Sequence, residues 1–111
     1  MKNYKRGDIY LVSLNNQLGC VQGGRRPCLI IQNNLANTFS QNLIVIPITS
    51  KIKRTDLPTH VVTNNNQIAL CEQIITISKH QVICYQQTLN RSAMKDIDHA
   101  ISISLSLEEK E

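Results

Sequence analysis

Two apolar runs, PCLIIQ from Pro27 and LIVIPI from Leu43, do most to decide what this chain can fold into. Each is only as long as a strand. Both are rich in isoleucine and valine, whose branched Cβ suits a pleated sheet better than a helix. The segment between them, NNLANTFSQN, reads as a turn. Shorter apolar stretches flank the pair: GDIYLVSL before it, THVVT after it, and QIALCEQIITIS as two short strands or one bent strand. Polar loops separate them, namely NNQLGCVQGG, the basic SKIKRTDLP and the asparagines at 64–66. The C-terminal third changes period: Met94, Ile97, Ile101 and Leu105 fall three to four apart, and Ser92 stands as N-cap. The alternation in ISISLSL also fits a strand. The helix is preferred because its spacing starts upstream and no turn signal interrupts it. Short strands closed by one helix predict a mainly β fold, a small and strongly bent antiparallel sheet or barrel with a C-terminal α-helix. A chain of 111 residues suits a single domain, 1–111.

No apolar run approaches the roughly 20 residues that a spanning helix needs, and Pro47 interrupts LIVIPI. The charged start MKNYKRGD leads straight into a strand pattern and lacks the features of a signal peptide. A cytoplasmic protein with no membrane partner is expected. In that compartment the four cysteines are thiols, and no two have the C-x-x-C spacing of a zinc or redox site. Cys28 and Cys71 lie in apolar runs and read as small buried hydrophobes, and Cys20 lies in a loop. No metal and no cofactor are expected.

The net charge of +4 conceals an asymmetry. Residues 1–60 carry eight basic side chains against two acidic, and residues 61–111 carry four against six. A basic half attracts a polyanion or an acidic partner. Within it, QGGRRPCLII places two arginines where a turn needs only glycines and a strand start can use the proline. A guanidinium held at the rim of a sheet by that proline offers paired donors matched to phosphate oxygens, although a solvated rim arginine would look the same. A second feature shifts the balance. PITSKIKR ends an apolar strand with Thr49 and Ser50 and continues into Lys51, Lys53 and Arg54. Hydroxyls there can bond a phosphate or ribose, and the lysines can track a backbone. His60, His80 and His99 are scattered without paired carboxylates and read as structural or solvated. Glu72, within LCEQI, must find a partner or face a groove, as one half of an ion pair or as an acceptor for a base edge.

Taken together, KRGDIYLVSL, QGGRRPCLIIQN, IPITSKIK, LPTHV, CEQIITI and the closing ISLSL resemble the MazF/PemK family of toxin endoribonucleases, in order and over nearly the whole chain. The resemblance implies an SH3-like β-barrel with a C-terminal helix, working as a homodimer in the cytoplasm. It implies sequence-specific, metal-independent cleavage of single-stranded RNA, growth inhibition, restraint by an acidic antitoxin protein, and DNA binding by the toxin–antitoxin complex. The arginine of the family's GG-x-RP block falls on Arg26, and Arg25 takes the variable position. The catalytic hydroxyl after the third strand falls on Thr49. Asn33, Leu57, Pro58, Glu72 and Gln73 match positions that line the family's RNA groove; Gln22, Arg25, Ser50, Lys51 and Lys53 complete the expected RNA-binding set. Two departures stand out. Val21 replaces an acidic residue before the glycines, which leaves the general base unassigned, and Ile75 replaces a basic one, which bears on the RNA sequence chosen.

The chemistry consistent with these residues uses the substrate's own ribose 2′-hydroxyl as nucleophile, giving a 2′,3′-cyclic phosphate and a 5′-hydroxyl. Arg26 would stabilise charge on the phosphoryl oxygens and Thr49 would add a neutral hydrogen bond. Two rivals share the shape: a non-catalytic barrel that poisons a protein such as DNA gyrase, and a silent RNA-binding relative. Protein poisoning needs neither Arg26 nor Thr49. Silence is what the missing acidic residue would favour.

Overall fold

In a computed structural model the described residues are 3–14, 23–50, 56–63 and 66–107. Their order is β1 (Asp8–Leu14), β2 (Gly24–Ile30), α1 (Asn34–Phe39), β3 (Asn42–Thr49), β4 (His60–Val62), β5 (Ile68–Leu70), β6 (Ile75–Ser78), β7 (Val82–Thr88) and α2 (Arg91–Leu105). The fold is mainly β with a closing helix, as expected. The pairing path runs β4-β5-β3-β2-β1-β7, and β6 joins the free half of β3. All of these pairings are antiparallel. Among the described residues the path does not close into a full barrel, because β4 and β7 do not pair. The sheet nevertheless curls on itself: Gln87 of β7 donates to Gln67, beside β5, at 3.3 Å.

Both faces of the central strands are buried, and alternation assigns their side chains. Tyr10, Val12 and Leu14 of β1, Cys28 and Ile30 of β2, and Leu43 and Val45 of β3 build one core. Ile9, Leu29, Ile46 and Ile48 point the other way, into a second core that α2 covers with Ile97 and Ala100. This is why the two founding runs read as continuously apolar. Each fully buried isoleucine contributes about 1.5–3 kcal/mol relative to an exposed one.

The KRGD start is a clamp. Arg6 donates through Nε to the Ile31 carbonyl at 2.7 Å and pairs with Asp98 of α2 at 2.7 Å, while its backbone N–H reaches Asn34 Oδ1. Gly7 adopts φ +99, open to glycine and strained for other residues, as the chain turns into β1. Asp8 is buried and accepts from Thr88 Oγ1 at 2.7 Å, which ties β1 to β7.

Three local expectations are corrected. The segment NNLANTFSQN contains α1, whose first turn is capped by Asn33 accepting from the Ala36 N–H at 2.8 Å. The N-cap of α2 is Asn90, not Ser92, and accepts from the Ala93 N–H at 2.8 Å. Leu105 is exposed, and the buried residues of α2 are Ile97 and Ala100. QIALCEQIITIS resolves into two strands, β5 and β6, which bind successive halves of β3 on one side.

Candidate functional site

The site grows from the start of β2. Gly24 holds φ +69 in open space, so the requirement there is conformational rather than steric. Arg26 follows two residues later, opposite Val12, and Arg25 stands opposite Ser13. Residues opposed across an antiparallel pair share a face, and neighbours in a strand do not. Arg26 therefore shares the face of Val12 and the first core, and Arg25 lies exposed on the other. The half-buried Arg26 also donates through Nε to the Gly23 carbonyl at 3.3 Å, which fixes its guanidinium against the glycine turn.

The partner strand supplies the hydroxyl. β2 and β3 pair as Ile30↔Val45, Leu29↔Ile46 and Cys28↔Pro47. The ladder stops there, between Pro27 and Pro47, neither of which has an N–H to give. Continuing the register by two residues on each strand aligns Arg26 with Thr49. Thr49 in turn faces Ile68, and Ile68 faces Val62. One row across the sheet thus reads Val62, Ile68, Thr49, Arg26, Val12, Val82, with its two polar members side by side at the unpaired strand end. Thr49 is only 1 % exposed, at the floor of the row, and Ser50 after it is exposed.

Two β-turns stand at the same end of the β4–β5 pair. His60 N–H donates to the Leu57 carbonyl at 3.0 Å, with Pro58 at the turn position that its fixed φ favours. Gln73 N–H donates to the Leu70 carbonyl at 3.0 Å, closing a turn that carries Glu72. A bond from the Cys71 N–H to the Thr59 carbonyl, 2.9 Å, staples the turns together. His60 Nε2 lies 3.0 Å from Glu72 Oε2, so the partner of the Glu72 carboxylate is a histidine. Along the strands, His60 and Leu70 lie two residues from Val62 and Ile68, roughly 7 Å from the Arg26 row and on its face.

The structure therefore brings Arg26 and Thr49 into one row and Leu57, Pro58, Glu72 and Gln73 into one pair of turns beside it. Asn33 is not drawn in: it follows the far end of β2 and its side chain caps α1. Val21, Gln22, Lys51 and Lys53 lie outside the described residues. The residue that sequence reasoning missed is His60. Two turn-forming segments thirteen residues apart, LPTH and LCEQ, carried the signal. Cys28 and Cys71 are buried as expected, and burial pushes each thiol up to about 12. They have no part in the chemistry.

Comparison with known proteins identifies the family and the fold. A family model described as PemK-like, MazF-like toxin of type II toxin-antitoxin system matches residues 5–105. This chain belongs to that family. Endoribonuclease EndoA of Bacillus subtilis (strain 168) is 40% identical over 110 residues, covering 93% of this chain and 95% of its own. Endoribonuclease MazF of Staphylococcus saprophyticus is 38% identical over 110 residues, covering 93% and 92%. Among solved structures, MazF from Deinococcus radiodurans superposes with a TM-score of 0.82 at 18% identity, over 96% of this chain and 99% of its own. An endoribonuclease in complex with its cognate antitoxin, from a Mycobacterial species, reaches 0.79 at 22%, over 96% and 99%. These two carry the fold. At the level of its family the chain is a MazF-like toxin endoribonuclease.

Proposed function

We propose that this toxin cuts single-stranded RNA at the Arg26–Thr49 row without a metal ion, leaving a 2′,3′-cyclic phosphate and a 5′-hydroxyl. The observation that supports the reading is the β2–β3 register ending at Cys28↔Pro47, whose continuation by two residues on each strand brings Arg26 and Thr49 into one row. In this reaction the 2′-oxygen attacks the adjacent phosphorus, the bond to the 5′-oxygen breaks, and charge builds on the non-bridging oxygens. A guanidinium keeps its charge at every working pH, so Arg26 supplies the stabilisation a Lewis acid would otherwise give. Its bond to Gly23 preorganises it, and its remaining N–H groups face the phosphate. Thr49 contributes a hydroxyl from the floor of the row. The 2′-hydroxyl loses its proton to solvent and the leaving 5′-oxygen gains one from solvent; Arg26, charged throughout, is too weak a base to start the attack.

The turn residues Leu57, Pro58, Glu72 and Gln73 receive neighbouring nucleotides, and Gln22, Arg25, Ser50, Lys51 and Lys53 track the backbone. The working form is a cytoplasmic homodimer restrained by an acidic antitoxin whose disordered tail occupies the RNA groove. The relative solved with its cognate antitoxin supports that partner class. The test is incubation of the purified protein with a long RNA and a chelator, followed by mapping of the ends. Cyclic-phosphate and 5′-hydroxyl ends are expected. Cleavage that stops on chelation would remove the mechanism, and intact RNA would remove the activity.

A further inference from the structure

We infer that His60 is a positioning residue: it holds Glu72 so that one carboxylate oxygen reads a single base of the bound RNA, favouring cytosine or adenine over uracil. The inference rests on the RNA-cutting reading above and adds to it how one base is chosen.

The pair has an inside and an outside. The His60 side chain is 7% exposed and that of Glu72 39%, so the ring is packed behind the carboxylate and the carboxylate looks out. The ring cannot swing freely. His60 begins β4 opposite Leu70, its N–H closes the 57–60 turn, and the Cys71–Thr59 bond fixes one turn on the other. Only an Nε2–H can be shared with a carboxylate oxygen at 3.0 Å, so His60 donates and Glu72 Oε2 accepts. Glu72 Oε1 makes no hydrogen bond among the described residues. The result is a fixed acceptor held on the face that carries the Arg26 row, three strands across the sheet from Arg26 itself.

Such an acceptor discriminates by base chemistry. Cytosine N4 and adenine N6 present an amino donor where uracil presents the O4 acceptor, which a carboxylate repels. Guanine pairs best with a carboxylate through two parallel donors, and the bond to His60 occupies one of the two oxygens needed. Unbraced, the glutamate would lose rotamer freedom on binding and could turn either oxygen to any donor. The brace therefore acts on selectivity.

The experiment compares two short RNAs identical except for cytosine or uracil at the position whose preference end mapping reveals. The quantity read is the ratio of their kcat/KM values, for the wild type, His60→Ala, His60→Gln and Glu72→Gln. The wild type is expected to favour cytosine by about tenfold or more. His60→Ala should collapse that ratio towards one. His60→Gln, which restores an N–H donor of similar reach, should recover most of it. Glu72→Gln should move the ratio towards uracil, because its amide can donate to O4. A merely structural His60 would lower both rates in parallel and leave the ratio standing, and that result overturns the inference. If His60→Ala fails to fold, His60→Gln and Glu72→Gln still decide it: an unchanged ratio in Glu72→Gln overturns it. Cleavage with no base preference at any position would remove the inference alone. A wild type that cuts neither RNA would remove the function with it.

Discussion

Arg25 and Arg26 are adjacent in the chain and lie on opposite faces of β2, and that difference comes from the strand period. It was legible only in part. The glycines and Pro27 marked a pinned arginine, and the family pattern chose Arg26. Its alignment with Thr49 depends on a long-range register that local sequence does not encode. His60 was passed over because a histidine's role depends on what faces it across the fold, here Glu72. Thr49→Val tests the hydroxyl at nearly constant shape. Because Thr49 is buried, the fold of the variant is checked first by its urea midpoint, and single-turnover cleavage should slow by about a hundredfold. Unaltered cleavage would remove Thr49 from the chemistry. The Val21→Glu substitution supplies the carboxylate that the family pattern implies there and should accelerate the chemical step at saturating protein; an unchanged or slower step would place the base elsewhere. The thiols give a test that does not depend on RNA. Cys28 and Cys71, raised to about 12 by burial, should resist alkylation at pH 8 in the native protein, while the exposed Cys84 reacts. Labelling of all three at equal rates would contradict their packing.

At the scale of elements, long apolar runs were easy to read and edges were not. β2, β3 and α2 declare themselves through buried isoleucines at period two or three to four. α1 was hidden because its six residues present Leu35 and Phe39 to solvent and bury only Asn37. The strand β7 was passed over for a similar reason. It lies at the end of the pairing path with four consecutive exposed residues, so its pattern carries no alternation. The position of the α2 cap shows how energy is divided within one helix. Asn90→Ala removes the cap and should cost about 1 kcal/mol in urea unfolding. Ile97→Ala opens a cavity under the helix and should cost about 2–5 kcal/mol. Equal losses at the two sites would mean that the helix is not seated through Ile97.

For the whole molecule, stability and function respond to pH and charge in different ways. A buried thiol whose pKa rises in the folded state favours folding of the neutral form. That stability is whole below the ordinary value of 9.0 and is lost as pH climbs from there towards about 12. Each unit crossed removes about 1.4 kcal/mol per thiol. Urea midpoints should therefore fall steeply above pH 9; a flat profile to pH 11 would show the thiols are not buried together with the core. The basic first half and acidic second half predict that an acidic antitoxin competes with RNA for one surface and that salt weakens both. A cognate antitoxin that bound tightly and left cleavage untouched would separate the two sites. The central claim is that cutting passes through the arginine aligned with Thr49 and not through its neighbour. Single-turnover cleavage of one RNA at saturating protein, with Arg26→Ala and Arg25→Ala measured side by side at low and high salt, tests it most directly. The account predicts a loss of about a hundredfold or more in the chemical step for Arg26→Ala at both salts. For Arg25→Ala it predicts weaker binding with the chemical step intact. Matched losses in the chemical step for the two variants would contradict it.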